Sequence, residues 1–254
     1  MSKFGLTAPV LALAATAAPA SAQDTTWTGF YIGAHGATAD TNAEWTGTNI
    51  YQTVDGAEGG FTVVPHSDAI AHELSNAEIG GGGRIGFNWQ AGSFVLGAEA
   101  DATLYDFDRS VTRTMPAASY TLRSRASHLE TVRARAGVST GRVLLFLTGG
   151  VAFSNLRHSL AATDMSQVVI DGGEGGSSAG AATANLAAAG KTGTGWTVGG
   201  GGEVQASDRL SIALTVLHVD FGSEALAASS PPSSIATTID SRMLVGMLGA
   251  NLRF

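Results

Sequence analysis

The sequence predicts an all-β protein, an eight-stranded antiparallel transmembrane β-barrel with short periplasmic turns and long extracellular loops. Three observations predict it. The stretch from Ile239 to Phe254 alternates without a break, with Leu244, Gly246, Leu248, Ala250, Leu252 and Phe254 on one face and Ser241, Met243, Val245, Met247, Gly249, Asn251 and Arg253 on the other. That is a strand with one wholly apolar face. Similar strands recur along the chain, joined alternately by long and short connections, the asymmetry of a barrel with both termini in the periplasm. Beyond the amino terminus no run approaches the roughly 18 apolar residues of a spanning helix, and an open sheet edge cannot be satisfied in hydrocarbon.

Composition agrees. The chain has 254 residues, no cysteine, 34 glycines and 14% charged residues, low against the roughly 25% charged of soluble domains. Residues 1–22 read as a secretory signal, with Lys3 as the positive region, Phe4 to Ala18 as the apolar run and Ala20-Ser21-Ala22 as the cleavage site. The mature barrel domain is then 23–254. Without Lys3 the formal charge goes from −7 to −8 and Lys191 is the one lysine left, which argues against a nucleic-acid partner.

The first strand is Trp27 to Ala39, with Phe30, Ile32 and Ala34 opposite Tyr31, Gly33 and His35. A long acidic connection follows, about 40–76, with room for a ribbon around Asn49 to Val64. Ala77 to Gln90 and Ser93 to Phe107 form a hairpin at Ala91-Gly92, placing Ile85, Phe87 and Trp89 against Arg84 and Asn88, then Phe94, Leu96, Ala98 and Ala100 against Glu99, Asp101 and Thr103. The second connection, about 108–126, sets Asp108 against Arg109, Arg113, Arg123 and Arg125. Ser127 to Ser139 and Arg142 to Ser154 pair at Thr140-Gly141, with Val132, Ala134 and Ala136 opposite Thr131, Arg133 and Arg135. The third connection, about 155–192, is Gly/Ala/Ser-rich from Asp171 to Gly190 and reads as flexible. Gly193 to Ala206 and Arg209 to Phe221 turn at Ser207-Asp208, placing Glu203 opposite Trp196, Val198 and Val204, and the connection at about 222–238 leads into the closing strand.

Alternation alone also suits a secreted soluble barrel with its apolar face turned inward around a ligand. Against this, the mixed faces are mostly Gly, Ser, Thr and Ala, a poorly hydrated exterior but a good lining for a narrow lumen. Trp27 and Trp89 near the short turns and Trp196 near the long connections are expected in interfacial aromatic girdles.

The segments WTGFYIGAHG from Trp27, GFNWQ from Gly86, TVRARAGV from Thr131, LTGGVAFS from Leu147, GWTVGGGGE from Gly195, VDFG from Val219 and GANLRF from Gly249 touch most of these strands. Together they resemble the small porin-like, immunogenic outer-membrane protein family of Gram-negative bacteria, whose barrel is similar to the OmpA membrane domain. The resemblance implies location in the cell outer membrane, assembly by the barrel-insertion machinery with Phe254 as the insertion signal, and, in some relatives, binding of haem or host components. One departure is Thr215 and Leu217, where relatives carry charged or large polar residues.

The mixed faces gather Arg84, Glu99, Asp101, Arg133, Arg135 and Glu203 inside the barrel, with Arg253 as a further candidate. Charges in so narrow a lumen need partners. They form either a salt-bridged plug that fixes register or a charged constriction selecting small ions, and the filled lumen of eight strands favours the plug. No catalytic set is expected: His218 and Asp220 share a strand face, but no serine nucleophile stands with them. Gly80 to Gly83 lacks the Lys-Ser/Thr ending of a phosphate loop. His66 and His72 near Asp68 and Glu73 have no metal-ligand spacing, so neither metal nor cofactor is expected. Expected partners are outer-membrane lipid and lipopolysaccharide, whose phosphates Arg109, Arg113, Arg123 and Arg125 would bind. Nothing in the sequence sets an oligomeric state. The role expected is non-enzymatic, in envelope structure and surface display, with a small pore and a surface ligand-binding barrel as alternatives.

Overall fold

The computed structural model describes residues 26–55, 61–66, 72–115, 118–164, 184–230 and 233–254. The signal expected at 1–22 lies outside them, as do the side chains of His66 and His72. The strands are β1 (Gly29–Asp55), β2 (Phe61–His66), β3 (His72–Ala91), β4 (Phe94–Met115), β5 (Ala118–Thr140), β6 (Val143–Asp164), β7 (Ala184–Gln205), β8 (Leu210–Ser230) and β9 (Ser233–Arg253). All neighbours are antiparallel, and the pairing of β1 with β9 (Tyr31 opposite Arg253, Ala34 opposite Ala250) closes a ring of eight. The ninth strand, β2, pairs only with the outer end of β1 (Gln52 opposite Val64), which is the ribbon expected around 49–64.

Two tight turns fall one residue later than the sequence suggests, at Gly92-Ser93 and Gly141-Arg142. Gly92 and Gly141 have φ of 62° and 63°, left-handed backbone that glycine adopts without steric cost.

The larger departure is in the long connections. The ranges 40–76, 108–126, 155–192 and 222–238, expected as loops, are largely strand where described. At about 3.3 Å per residue, the 22 residues of β4 run roughly 70 Å along the chain, against an apolar band about 25 Å tall. The sheet therefore continues well past the membrane. Its polarity inverts there: inside the band, residues such as Phe30, Leu96 and Leu147 point outward, whereas above it Leu122, Leu156 and Leu160 point inward and Arg125 and Arg157 point outward. Outside lipid, a closed sheet obeys the rule of soluble proteins.

A β-bulge accompanies this change on β5. Between Leu129 and Arg125 the pairing with β6 slips, and the inward set changes from odd residues (Leu129, Thr131, Arg133, Arg135) to even ones (Leu122, Ser124, Ala126). Such an insertion re-aims the side chains beyond it. Arg123 and Arg125 consequently face outward, although they share the sequence parity of Arg133 and Arg135.

The soluble alternative, with its apolar face inward, does not fit these faces. Phe30 is 63% exposed and Leu147 74%, while Arg133 is 2% exposed in the lumen. Among the described residues the outward face of the band carries no Lys or Arg, and its one carboxylate is Glu130 at the upper edge, level with Phe153. Trp89 and Trp196 lie outward as girdle residues, but Trp27 is fully buried. It precedes β1, so strand alternation does not govern it. It turns under the barrel, where its indole N–H donates to the Gly141 carbonyl at 3.1 Å and the Arg253 guanidinium lies 5.0 Å from the ring.

Candidate functional site

The lumen is filled in successive tiers. The ionic tier stands nearest the short turns and brings together the six residues that alternation places inside. The Arg133 guanidinium donates to Glu99 and lies 2.7 Å from Asp101 Oδ2. Arg135 Nη2 donates to Glu203 Oε2 at 3.0 Å and Nη1 lies 3.5 Å from Glu99 Oε2, whereas Arg84 stands farther off, 4.0 Å from the same oxygen. Three guanidiniums thus face three carboxylates, all buried.

Neutral groups take several of the remaining lone pairs. Tyr31 Oη donates to Glu99 Oε2 at 2.7 Å and accepts from Arg135 Nη1 at 2.9 Å. Thr131 donates to Asp101 at 2.6 Å, and Ser211 and Asn251 donate to Glu203 at 2.5 and 2.9 Å. Gly86, the β3 partner of Tyr31, makes this possible: a Cβ there would stand 2.3 Å from the phenol ring. Charges removed from water are tolerable when paired and hydrogen-bonded in this way. Arg253 does not join the tier; it donates to the carbonyl oxygens of Thr26 and Asp208 at the periplasmic end. His35 is a packed polar residue whose Nε2 is 2.8 Å from Thr103 Oγ1.

Above the ions lies an apolar tier that sequence reasoning did not find. Tyr105, Phe107, Leu129, Leu156, Leu217, Phe221, Met243 and their neighbours form one buried cluster to which six of the eight ring strands contribute. Leu217, where the resemblance leads one to expect a polar residue, is fully buried in it. Some of its members lie in stretches expected as loops, and their signal is the alternation running on past Phe153 as Ser154, Leu156, His158 and Leu160.

A polar tier caps it. His158 is 1% exposed, with Nδ1 2.9 Å from Ser124 Oγ, Nε2 3.2 Å from Ser241 Oγ and the Trp45 ring edge-on at 5.8 Å. His158 lies five residues beyond Phe153, the last large apolar residue facing outward on β6, and so above the band. Burial pushes its pKa down from 6.5 to about 4, against a small upward pull from Glu224. Below pH 6.5 the unfolded chain takes up this proton before the folded one, so the stability contributed by the site is complete above 6.5 and is lost as pH falls toward 4. In detergent micelles at pH 5 the His158 ring nitrogens should keep neutral-imidazole NMR shifts. A ring already charged at pH 6 would contradict the tier.

Outside the barrel, His218 and Asp220 sit at the rim. His218 lies 5.5 Å from the Trp196 ring, and Asp220 faces Arg242 at 3.5 Å and accepts from the Gly222 N–H at 2.7 Å. The Thr197 hydroxyl donates to the His218 carbonyl at 3.0 Å, and these contacts pack the rim. Of the four arginines expected to meet lipopolysaccharide, Arg109 donates to Glu78 at 2.8 Å, while Arg123 and Arg125 share Asp108 at 2.5 and 2.8 Å. The two guanidiniums hold the Asp108 carboxyl well below the usual carboxylate range. The Arg113 side chain lies outside the described residues. Phe254 is 74% exposed at the periplasmic edge.

A closed ring of antiparallel strands with an apolar band outside and a filled lumen defines an integral outer-membrane β-barrel, located in the cell outer membrane. The chain belongs to the outer membrane protein beta-barrel domain family, whose model matches residues 8–251. It is similar to the 31 kDa outer-membrane immunogenic proteins of Brucella melitensis and Brucella suis, each 28% identical over 148 residues, 56% of this chain and 53% of the relative. The match thus spans about half the length of these curated relatives. Among solved structures it is similar to Ail, the attachment invasion locus protein of Yersinia pestis, at 11% identity and a TM-score of 0.34 over 87% of this chain and 99% of that one. Neisserial surface protein A matches at 11% identity and a TM-score of 0.35, over 89% of this chain and 98% of that one.

Proposed function

We propose that this protein is a non-enzymatic, non-conducting barrel that contributes to envelope structure and presents the far ends of its strands for surface interaction. The observation that carries this reading is the apolar tier around Phe107, Leu129 and Leu217, which lies across the lumen between two polar tiers. Ions do not pass a dry, close-packed hydrocarbon layer. The ionic tier supports a plug over a selective constriction, because its carboxylates are taken up by arginine, tyrosine, serine, threonine and asparagine donors. The exposed Phe254 ring at the closing edge suits an insertion signal for the assembly machinery.

The experiment is conductance of the refolded, heat-modifiable protein in planar bilayers. No discrete steps are expected at any salt concentration. Ion-selective steps that change when Glu99 or Arg133 is neutralised would overturn the reading in favour of a small pore.

A further inference from the structure

We infer that the outer face of β5, β6 and β7 is a binding site for a phosphorylated, multiply acylated glycolipid of the outer leaflet. The inference rests on the reading of the protein as a surface-interacting envelope barrel, and it extends the basic site from the β5 arm of the β4–β5 hairpin onto β6 and β7.

Register places Asp108 opposite Arg125 and Arg125 opposite Arg157, so that two arginines face each other at one level of the sheet, with the backbone of Lys191 next in register. Like charges directly opposite each other in a sheet destabilise it. Asp108 offsets only part of this charge, and departures from such local rules are expected at functional sites. Arg123, two residues from Arg125 on β5, adds a third arginine, and among the described residues Asp108 is the one carboxylate in salt-bridge contact with Arg123 or Arg125. Among the described residues Arg157 has no ion-pair partner. Arg123, Arg125 and Arg157 line an open concavity of about 460 Å³ together with Ser159, Ala189 and Gly190. Planar guanidiniums in such a cluster suit bidentate recognition of phosphate oxygens.

The height is right for a headgroup. Arg157 lies four residues past Phe153, which puts it roughly 10 Å above the end of the apolar band on a tilted strand. The headgroup layer occupies roughly the first 5–8 Å beyond the hydrocarbon core, within reach of a downward-turned arginine side chain. Below, on β3 to β6, the band holds a depression of about 510 Å³ whose lining includes the small residues Gly83, Ala100 and Ala102 and the larger Ile85, Val132 and Phe153. It shares β5 and β6 with the cationic level and is wide enough for acyl chains. Glu130 stands at its upper edge, and its charge disfavours a phosphate there, so the phosphates belong at the arginine level and the chains below it.

The test uses the folded full-length barrel in detergent and native mass spectrometry with diphosphoryl lipid A. The wild-type protein should retain one lipid A, and R123Q/R125Q/R157Q should bind about tenfold more weakly or worse, as expected when charge-assisted contacts to phosphate are lost. Arg109→Gln, on the hairpin held by Glu78, should bind like the wild type, and Ala102→Leu should weaken lipid A binding with the arginines intact. If the triple variant fails the heat-modifiability check, Arg157→Gln alone decides, since its side chain is exposed. Lipid A binding by the folded charge variants within twofold of the wild type would overturn the site. Equal affinity for the acyl-free diphosphorylated disaccharide would overturn the lipid in favour of a free phosphosugar. Neither outcome touches the closed lumen, which conductance tests separately.

Discussion

Glu99→Ala is expected to lower barrel stability by about 3–5 kcal/mol, because removing one member of a buried ion cluster strands its partners in low dielectric. Of their carboxylate partners Arg133 would keep only Asp101 and Arg135 only Glu203, and Tyr31 would lose the acceptor for its hydroxyl proton. The urea midpoint of the heat-modifiable form in lipid vesicles reads the loss. The companion variant separates charge balance from packing. Removing Glu99 together with Arg133, as E99L/R133L, leaves Arg84 and Arg135 against Asp101 and Glu203, and most of the stability should return. A single variant within about 1 kcal/mol of the wild type, the range of an exposed pair, would mean that water reaches these side chains.

The residues of this tier were legible in the sequence, and the reason is geometric. Within the membrane band a strand has one face in lipid and one in the lumen, so period-two alternation assigns every side chain without knowledge of the partners. Arg84, Glu99, Asp101, Arg133, Arg135 and Glu203 needed only that rule. Above the band it fails twice. The face that was apolar becomes polar, so strands such as β6 beyond Phe153 no longer carry the signature that identified them and read as loop. A bulge on β5 also turns the odd-numbered arginines from the inside to the outside. Sequence parity alone would have put Arg123 and Arg125 in the lumen beside Arg133. Trp27 escaped for a third reason, since it precedes the sheet and answers to the hydrogen-bond need of its indole N–H. Register then supplied what composition could not: Arg125, Arg157 and Lys191 are far apart in the chain, and only strand pairing makes them neighbours.

The apolar tier gives the second large effect, on stability and conductance in different ways. Phe107→Ala removes a fully buried ring, and truncations of this kind cost about 3–5 kcal/mol. The urea midpoint should fall accordingly, yet planar bilayers should still show no conductance, because the cavity left behind is lined by Leu129, Leu156 and Met243 and closed below by the ionic tier. An apolar cavity of that kind stays dry. Neutralising the ionic tier alone should likewise fail to open a path, since the hydrocarbon layer above it remains intact. Combining Phe107→Ala and Leu217→Ala with E99L/R133L breaches both layers, and discrete conductance steps are expected from that variant while each parent is silent. Steps in Phe107→Ala alone would show that the ionic tier is permeable and that the apolar tier is the sole barrier. Silence in the combined variant, still heat-modifiable, would place the seal higher, at His158, Trp45 and Ser241.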